Sequence, residues 1–573
     1  AFGSVEHDLI LLTLEHYHLE PSFIRLVREF YQGLSVVVTT RNWTTDTIPL
    51  NVGIFQGDPM SVIIFNLVAN LFVELITENY YHLGYQFTSS AYAFSLLQYA
   101  DDSCLMSNSL ENCQLLCNVA QMWLEWAHMR AKVPKCRVLA IRRGKIISDP
   151  QLTLNNLPIP PVADEPIKFL GMPLSSTFDD NHHKQHLVCK LELLMTKVDR
   201  SFLSRKQKLK VFSLGVCPRL AWDLMVIQLP ITWVERQLDP LATSYLKRWS
   251  GLARCANTSL LYLSQSHGGL HLPSLSTTFK KLHVSRMAQL LVSRDGCVRF
   301  VATRLLQQEG DTSGRAFLPA SVVNSIMVTH GCISKKKLKG LSTSSVSESD
   351  ESNRLQHLQS LQVQGECFRL EVDTFDIWST AVNSVPDAIM KFSLNALLDT
   401  LPHRHNLSKW GKSQTSACPL CSENQSLIHV LNSCSVALQQ RRFDQRHDAV
   451  LKIIVDFIRS HMPHGFCVTA DLPSEEYIRP QFLVSDLRPD IIMWSTASHK
   501  AYLLELTVCF DTNFSAAAER KTTKYFELVD VITSTTHCKL AHGGSLIRIA
   551  STPVDQFYRA NAKISTASYY RYL

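Results

Sequence analysis

The sequence predicts an α+β protein built from several domains, and three observations lead there. The chain has 573 residues, too many for one ordinary hydrophobic core. Short apolar pairs, Leu96-Leu97 and Leu105-Met106, flank a polar tip at Asp101-Asp102, which reads as strand, tight turn and strand among helix-spaced apolar runs. Near the C-terminal end, two more strand-like apolar segments follow a cluster of cysteines and a histidine. Hydrophobic residues make up 46% and charged residues 19%, as in globular chains. A net charge of +7 permits a nucleic-acid partner without demanding one.

Taken in order, residues 9 to 31 carry apolar positions at helical spacing: Leu9, Leu12, Leu14, Phe23, Leu26, Val27 and Phe30. The β-branched stretches 36–40 and 47–52 predict strands. The apolar run Ser61 to Ile76 carries Asn66, Asn70 and Glu74 every fourth residue. It predicts an amphipathic helix with a polar stripe, too short to cross a bilayer. With no secretory signal at the start, no membrane partner is expected. Residues 110–133 predict a helix with Trp123 and Trp126 near its end, and 137–141 a strand.

From 179 to about 339 the pattern is mostly helical. Its basic cluster (Lys184, Lys190, Lys197, Arg200, Arg205, Lys206, Lys208 and Lys210) is either a solvated face or a sequence-independent phosphate-binding surface. Residues 341–353 are serine-rich and acidic with almost nothing to bury, so they predict a disordered linker. Arg446-His447-Asp448 opens a helical run to Ile458. Strands are predicted over 489–494 and 501–508, with Lys521 and Lys524 beyond them.

Three groups of residues carry chemistry. Consecutive residues at a turn can share one face, so Asp101 and Asp102 can meet one divalent cation. Read alone, the pair is also what a solvated turn looks like. Cys418, Cys421, His429 and Cys434 have the spacing C-x2-C-x7-H-x4-C, and three thiolates with one imidazole suit a closed, structural tetrahedral Zn²⁺ site. Most of the sixteen cysteines are otherwise scattered, as expected of buried thiols. Asp490 opens one apolar strand and Glu505 lies within the next. Paired strands can bring both carboxylates to one metal, with a lysine beside it to orient water or bear phosphorane charge.

Gln56-Gly57-Asp58-Pro59, Tyr99-Ala100-Asp101-Asp102, Lys135 and Phe169-Leu170-Gly171, in that order, resemble the reverse transcriptase of non-LTR retrotransposons. The CCHC cluster followed by Arg488-Pro489-Asp490 and Glu505 is similar to the site-specific members with a restriction-like nuclease, including those that insert into ribosomal RNA genes. The resemblance implies a right-hand polymerase palm over 1–178 and a mostly helical thumb and post-thumb region over 179–340. Beyond these come the linker at 341–353, a helical linker with a zinc knuckle over 354–445, and an α/β PD-(D/E)xK-like nuclease over 446–573.

By that resemblance, Asp101 leads and Asp102 supports the binding of two Mg²⁺ ions in the palm. Gln56 and Gly57 belong to the template and nucleotide motif, and Phe2 abuts the sugar of the incoming nucleotide. Lys135 approaches the triphosphate, and Phe169, Leu170 and Gly171 form the primer grip. Asp490 and Glu505 hold the nuclease Mg²⁺. Lys521 and Lys524 are rivals for the water-orienting role, and the family's Lys-Tyr pair at Lys524-Tyr525 favours Lys524. Gly268-Gly269-Leu270-His271-Leu272-Pro273 resembles a further family motif without evident chemistry.

The implied function is RNA-directed DNA polymerase with an associated DNA-nicking endonuclease, acting in target-primed reverse transcription. Its partners are the element RNA, target DNA and deoxynucleoside triphosphates, and its site of action is the nucleus after cytoplasmic synthesis. The family's first palm Asp falls before Ala1, and Gly3 stands where a second is usual, so the reading expects an N-terminally truncated palm without fingers that does not polymerise by itself. The alternative is a decayed copy that only binds nucleic acid. A soluble interaction protein without this chemistry would have no need of Asp101, Asp490, Glu505 and four zinc ligands.

Overall fold

The computed structural model describes residues 2–55, 57–86, 92–162, 167–174, 180–227, 229–307, 335–369, 378–483, 485–498, 500–510, 514–535, 539–540 and 546–551. The chain forms two compact units, residues 1–183 and 184–573.

In the first unit the apolar pattern of residues 9–31 becomes two helices, α1 (His7–His16) and α2 (Pro21–Tyr31). The break is local. His18 takes a left-handed φ of 51°, and Pro21 starts α2, where its missing N–H is harmless. The two predicted strands shrink to a two-residue ladder, β1 (Ser35–Val36) against β2 (Ile48–Pro49). Helix α3 (Pro59–Asn79) is the longest in this unit. By length and composition it could cross a membrane, being longer than the apolar run that predicts it. Yet Ile64, Phe65, Val68, Phe72 and Ile76 are buried in the unit's core. Its polar stripe is partly used: Tyr17 Oη donates to Glu74 at 2.9 Å, and Asn70 donates to Tyr17 at 2.8 Å.

Strands β3 (Leu96–Tyr99) and β4 (Asp102–Leu105) pair in antiparallel register. Leu96 and Leu105 pack on Phe72 and Ile76 of α3 and on Leu116 of α4 (Leu110–Trp126). Ser109 caps α4 by accepting from the Asn112 N–H, and the helix ends at Trp126, short of the predicted 133. The strand expected over 137–141 reduces to a short pairing at Ile141–Arg142, because Val138 instead bridges to Pro161. Strands β5 (Ile167–Phe169) and β6 (Met172–Leu174) close the described part of the first unit as a further hairpin.

Among the described residues, the second unit is mostly helical up to residue 461. Helix α5 (Asp180–Arg200) runs into α6 (Arg205–Val211) and α7 (Cys217–Val226), and Ser204 with Gln207 forms a capping box at the start of α6. The lysines of the basic cluster do not all face solvent. Lys190 pairs with Asp223 at 2.5 Å, Lys208 donates to the Asp199 carbonyl at 2.6 Å, and Lys206 donates to the Asn383 carbonyl at 3.1 Å and to that of Val385.

Further along lie α8 (Asp239–Ser250), α9 (Leu275–Leu291) and α10 (Lys335–Ser360). The stretch 341–353 is therefore helical, not a disordered linker. Composition left it little apolar to bury beyond Leu341 and Val346, but its acids have partners. Asp350 accepts from Thr277 at 2.5 Å and Lys280 at 3.0 Å, and Glu351 accepts from the Ser264 N–H at 2.8 Å. Val346 is buried beside Val284, Met287 and Ala288 of α9. The Gly268-Gly269 motif also gains a physical role. A Cβ on Gly269 would sit 2.0 Å from the Leu263 carbonyl, so only glycine permits this crossing, and Trp378 donates to the Gly269 carbonyl at 2.8 Å.

Beyond α11 (Asp387–Leu397) and α12 (Asp444–His461), a five-stranded sheet is formed by β7 (Cys467–Ala470), β8 (Ile491–Ser495), β9 (Lys500–Phe510), β10 (Lys539–Leu540) and β11 (Leu546–Ser551). Strands β7, β8 and β9 are antiparallel, while β10 and β11 run parallel to β9. Leu504 and Leu506 pack with Val450, Leu451 and Ile454 of α12 on one face. Ile492 and Leu503 pack with Tyr525 and Leu528 of α13 (Phe514–Thr535) on the other. Side chains alternate along each strand, so this two-sided packing sets which face every residue takes.

Candidate functional site

In the first unit the functional candidates gather around the β3–β4 hairpin. Tyr99 pairs with Asp102 across the ladder, leaving Ala100 and Asp101 as a two-residue connection. Ala100 carries a φ of 50°, the left-handed value such tight hairpins require. Asp101 and Asp102 are both exposed. Ala100 and Phe2 pack against the same core cluster, so the first and central motifs come together. The Phe2 ring stacks on Phe65 at 4.3 Å and 13°, half-buried within that core. Gly57 takes a φ of 108°, and Gln56 lies outside the described residues. Lys135 ends a 3-10 turn, Val133–Lys135, with its side chain exposed. The Phe169-Leu170-Gly171 hairpin turns on Leu170 at φ 48° and Gly171 at φ 85°. Glycine takes that region freely, whereas leucine gives up about 1–2 kcal/mol there.

The second unit assembles a tighter group. Ile491 is opposite Leu504, which places Asp490 opposite Glu505 on the face that carries α13. The carboxylates are cross-braced by backbone: the Asp490 N–H donates to Glu505 Oε1 at 3.0 Å, and the Leu506 N–H donates to Asp490 Oδ2 at 2.7 Å. Lys521 Nζ lies between them, 2.9 Å from Asp490 Oδ2, 2.8 Å from Glu505 Oε2 and 2.6 Å from the Leu506 carbonyl. Lys524, favoured by the sequence resemblance, turns away: its ammonium sits 4.7 Å over the Tyr525 ring and 3.0 Å from Tyr525 Oη. Tyr525 is buried and donates to the Arg488 carbonyl at 2.9 Å. It thereby fixes the rotation of α13, and Lys521, one turn earlier, shares its face.

His447, quoted in the sequence without a role, reaches this group from the first turn of α12. Its Nε2 is 3.5 Å from Asp490 Oδ2, and its Nδ1 is 3.3 Å from Asp448 Oδ1. No periodicity or spacing signals that contact, because α12 and β8 meet only through tertiary packing. The electrostatics follow from burial plus partners. Burial opposes charge at Asp490, but His447 and Lys521 outweigh it and hold the carboxyl well below the usual range. Burial and then the neighbouring Asp490 push Glu505 up. Lys521 is pushed up by the two carboxylates in spite of its burial. Two carboxylates held apart in pKa and bridged by a cation form a group able to bind a divalent ion.

The third group is the cysteine cluster. The ligand atoms of Cys418, Cys421, His429 and Cys434 all lie within 4.8 Å of one another. Ser422, at φ 64°, turns the first pair into a knuckle, with the Ser422 N–H donating to the Cys418 carbonyl at 2.9 Å. The second pair arrives on a π turn, His429–Ser433, ending at Cys434; its wider i→i+5 winding stacks residues five apart. Burial works against charge at Cys418, yet the N–H groups of Leu420 and Cys421, with His429, bring its thiol down to about 6. A preformed thiolate with three converging ligands is a metal-binding geometry.

The profile for reverse transcriptase (RNA-dependent DNA polymerase) matches residues 1–174. The Retrovirus-related Pol polyprotein from type-2 retrotransposable element R2DM of Drosophila melanogaster is 24% identical over 299 residues, 51% of this chain and 27% of its own length. Pol polyproteins from type-1 retrotransposable element R2 of Nasonia vitripennis and Popillia japonica are 24% and 23% identical, over 51% and 52% of this chain and 28% and 48% of their own lengths. The matched stretch thus spans less than half of each relative. Over its first 174 residues the chain matches the reverse transcriptase family, and over about half its length it is similar to the Pol polyproteins of R2 non-LTR retrotransposons.

Proposed function

We propose that this chain serves two steps of target-primed reverse transcription: it contributes the palm carboxylates Asp101 and Asp102 to RNA-templated DNA synthesis, which needs the first palm Asp as well, and it nicks DNA at Asp490, Glu505 and Lys521. The nick frees a 3′ hydroxyl, and the palm extends it with element RNA as template and deoxynucleoside triphosphates as substrates. This takes place on target DNA in the nucleus. The observation that carries the reading is the convergence of Asp490, Glu505 and Lys521 within 3 Å contacts on one sheet face, downstream of a reverse transcriptase domain.

The residues fit the metals the reading requires. At the sheet, the Lys521 ammonium already occupies a cationic position between the two carboxylates. At the hairpin, two adjacent exposed carboxylates present uncompensated charge. At the knuckle, the Cys3His donor set suits Zn²⁺ in a structural role. Mg²⁺ bound to either carboxylate pair would supply Lewis acidity and lower the pKa of the attacking oxygen. In the nuclease, Asp490 and Glu505 would hold the ion, while Lys521 orients the attacking water and bears phosphorane charge. His447 holds Asp490 in place. In the palm, Asp101 and Asp102 would be ligands, and Lys135 serves the leaving pyrophosphate as a charge or general acid.

A binding-only remnant is the weaker reading, since nothing in binding alone requires two buried carboxylates bridged by a lysine. The test is nicking of supercoiled DNA at saturating concentration with Mg²⁺. Asp490→Ala should lower the rate by about 10³-fold, several kcal/mol of barrier, and leave DNA affinity nearly unchanged. Normal cleavage by that variant would place the active site elsewhere.

A further inference from the structure

The cysteine cluster and the acidic group are joined by the first turn of α12. Phe443, just before the helix, packs against Cys418, Cys434 and Ala437. Arg446 lies over the Phe443 ring at 5.3 Å. Its Nη1 donates to the Leu431 carbonyl at 2.9 Å and its Nη2 to Asn432 Oδ1 at 2.7 Å. Leu431 and Asn432 belong to the π turn between the ligands His429 and Cys434. The next residue after Arg446 is His447, whose ring faces Asp490. One turn of helix therefore grips the knuckle with two side chains and the nuclease carboxylate with a third.

We propose that Arg446 is a positioning residue that makes the nuclease geometry depend on the folded, metal-closed knuckle. A bidentate guanidinium holds two acceptors in one plane, and it can do so here only while the His429–Ser433 turn is wound. The turn is wound when its flanking ligands His429 and Cys434 are closed on a common ion, because in such small sites binding energy is folding energy. Loss of that ion unwinds the turn, releases Arg446, lets the first turn of α12 fray, and removes His447 from Asp490. The knuckle thereby licenses cleavage without touching DNA or either carboxylate. The inference rests on the nuclease reading above, but its structural half stands apart from activity.

Two measurements on the full chain test it. The first is hydrogen exchange at the backbone amides of residues 446–450. Arg446→Ala, or removal of Zn²⁺ with a zinc-selective chelator, should lower protection there at least tenfold, while Arg446→Ala still binds one zinc per chain. The second is nicking with saturating DNA and Mg²⁺ resupplied. Arg446→Ala should reduce the saturated rate about 10- to 100-fold, the usual size of an outer positioning contact. Arg446→Lys, which can satisfy one acceptor, should recover part of that loss. Stripping zinc from Arg446→Ala should add nothing further, since both changes break one link. Unchanged protection after zinc removal, or losses that multiply, would overturn the proposal. Altered protection in a chain that never nicks DNA would instead sustain the link and refute the nuclease assignment.

Discussion

The two carboxylate pairs of this chain are built in opposite ways. Asp101 lies in the exposed turn between two four-residue strands, and Asp102 opens the second of them. Asp490 and Glu505 are largely buried, their side chains 14% and 10% exposed, and are already joined by a lysine. The first pair stands in water, and little about it is preorganised. The second pair is desolvated, so it must be compensated in the folded protein before any substrate arrives. In the second pair the cationic position is filled by Lys521.

The sharpest test of that contrast is stability. Lys521→Met should destabilise the second unit by about 3 kcal/mol, the cost of stranding a buried charge, whereas Asp101→Asn should stay within about 0.5 kcal/mol. Millimolar Mg²⁺ should restore much of the Lys521→Met loss. Denaturant melts of the three proteins would decide it, and equal losses would erase the distinction between the sites.

The contrast extends outside both sites. Asp350 is a prepaired carboxylate in the stretch that composition marks as linker, bound to Thr277 and Lys280. Asp350→Ala should cost about 1–2 kcal/mol through two lost charge-assisted hydrogen bonds. A linker residue would show no change in the same melt.

A smaller effect is expected from His447. Burial alone would lower its pKa, but the hydrogen bond and charge of Asp490 raise it above the ordinary 6.5. Folding therefore favours the protonated ring. That stabilisation is complete below 6.5 and is lost as pH rises through the folded-state value. In metal-free protein the melting gap between wild type and His447→Gln should be widest near pH 6 and narrow towards pH 9. A gap independent of pH would show that the ring contributes packing only.

The smallest effect should come from Lys524→Ala. Its ammonium rests on Tyr525, away from the carboxylates, so the saturated nicking rate should stay within about twofold while DNA affinity weakens through lost phosphate attraction. A large fall in the saturated rate would return Lys524 to the catalytic role that the Lys-Tyr resemblance suggests.

What could be read from the chain itself were features governed by neighbours within a few residues. The Asp101-Asp102 hairpin, the helix over the apolar run Ser61 to Ile76, the C-x2-C knuckle and the strands at Asp490 and Glu505 all follow from turn chemistry and apolar period. The order of those motifs was enough to point to a reverse transcriptase. Tertiary structure alone decided the rest. Lys521 and Lys524 are three apart and look equivalent on a bare helix. Burial of Tyr525 against Ile492 sets the rotation of α13, and only Lys521 shares the sheet-facing side. His447 has no local mark because its partner lies 43 residues on. The acidic stretch at 341–353 looks unable to fold because its stabilising partners, Lys280, Thr277 and Ser264, lie on elements distant in sequence. The physical reason is the same in each case: alternation and capping act along the chain, whereas compensation of a buried charge acts through space, between residues that only the packed core brings together.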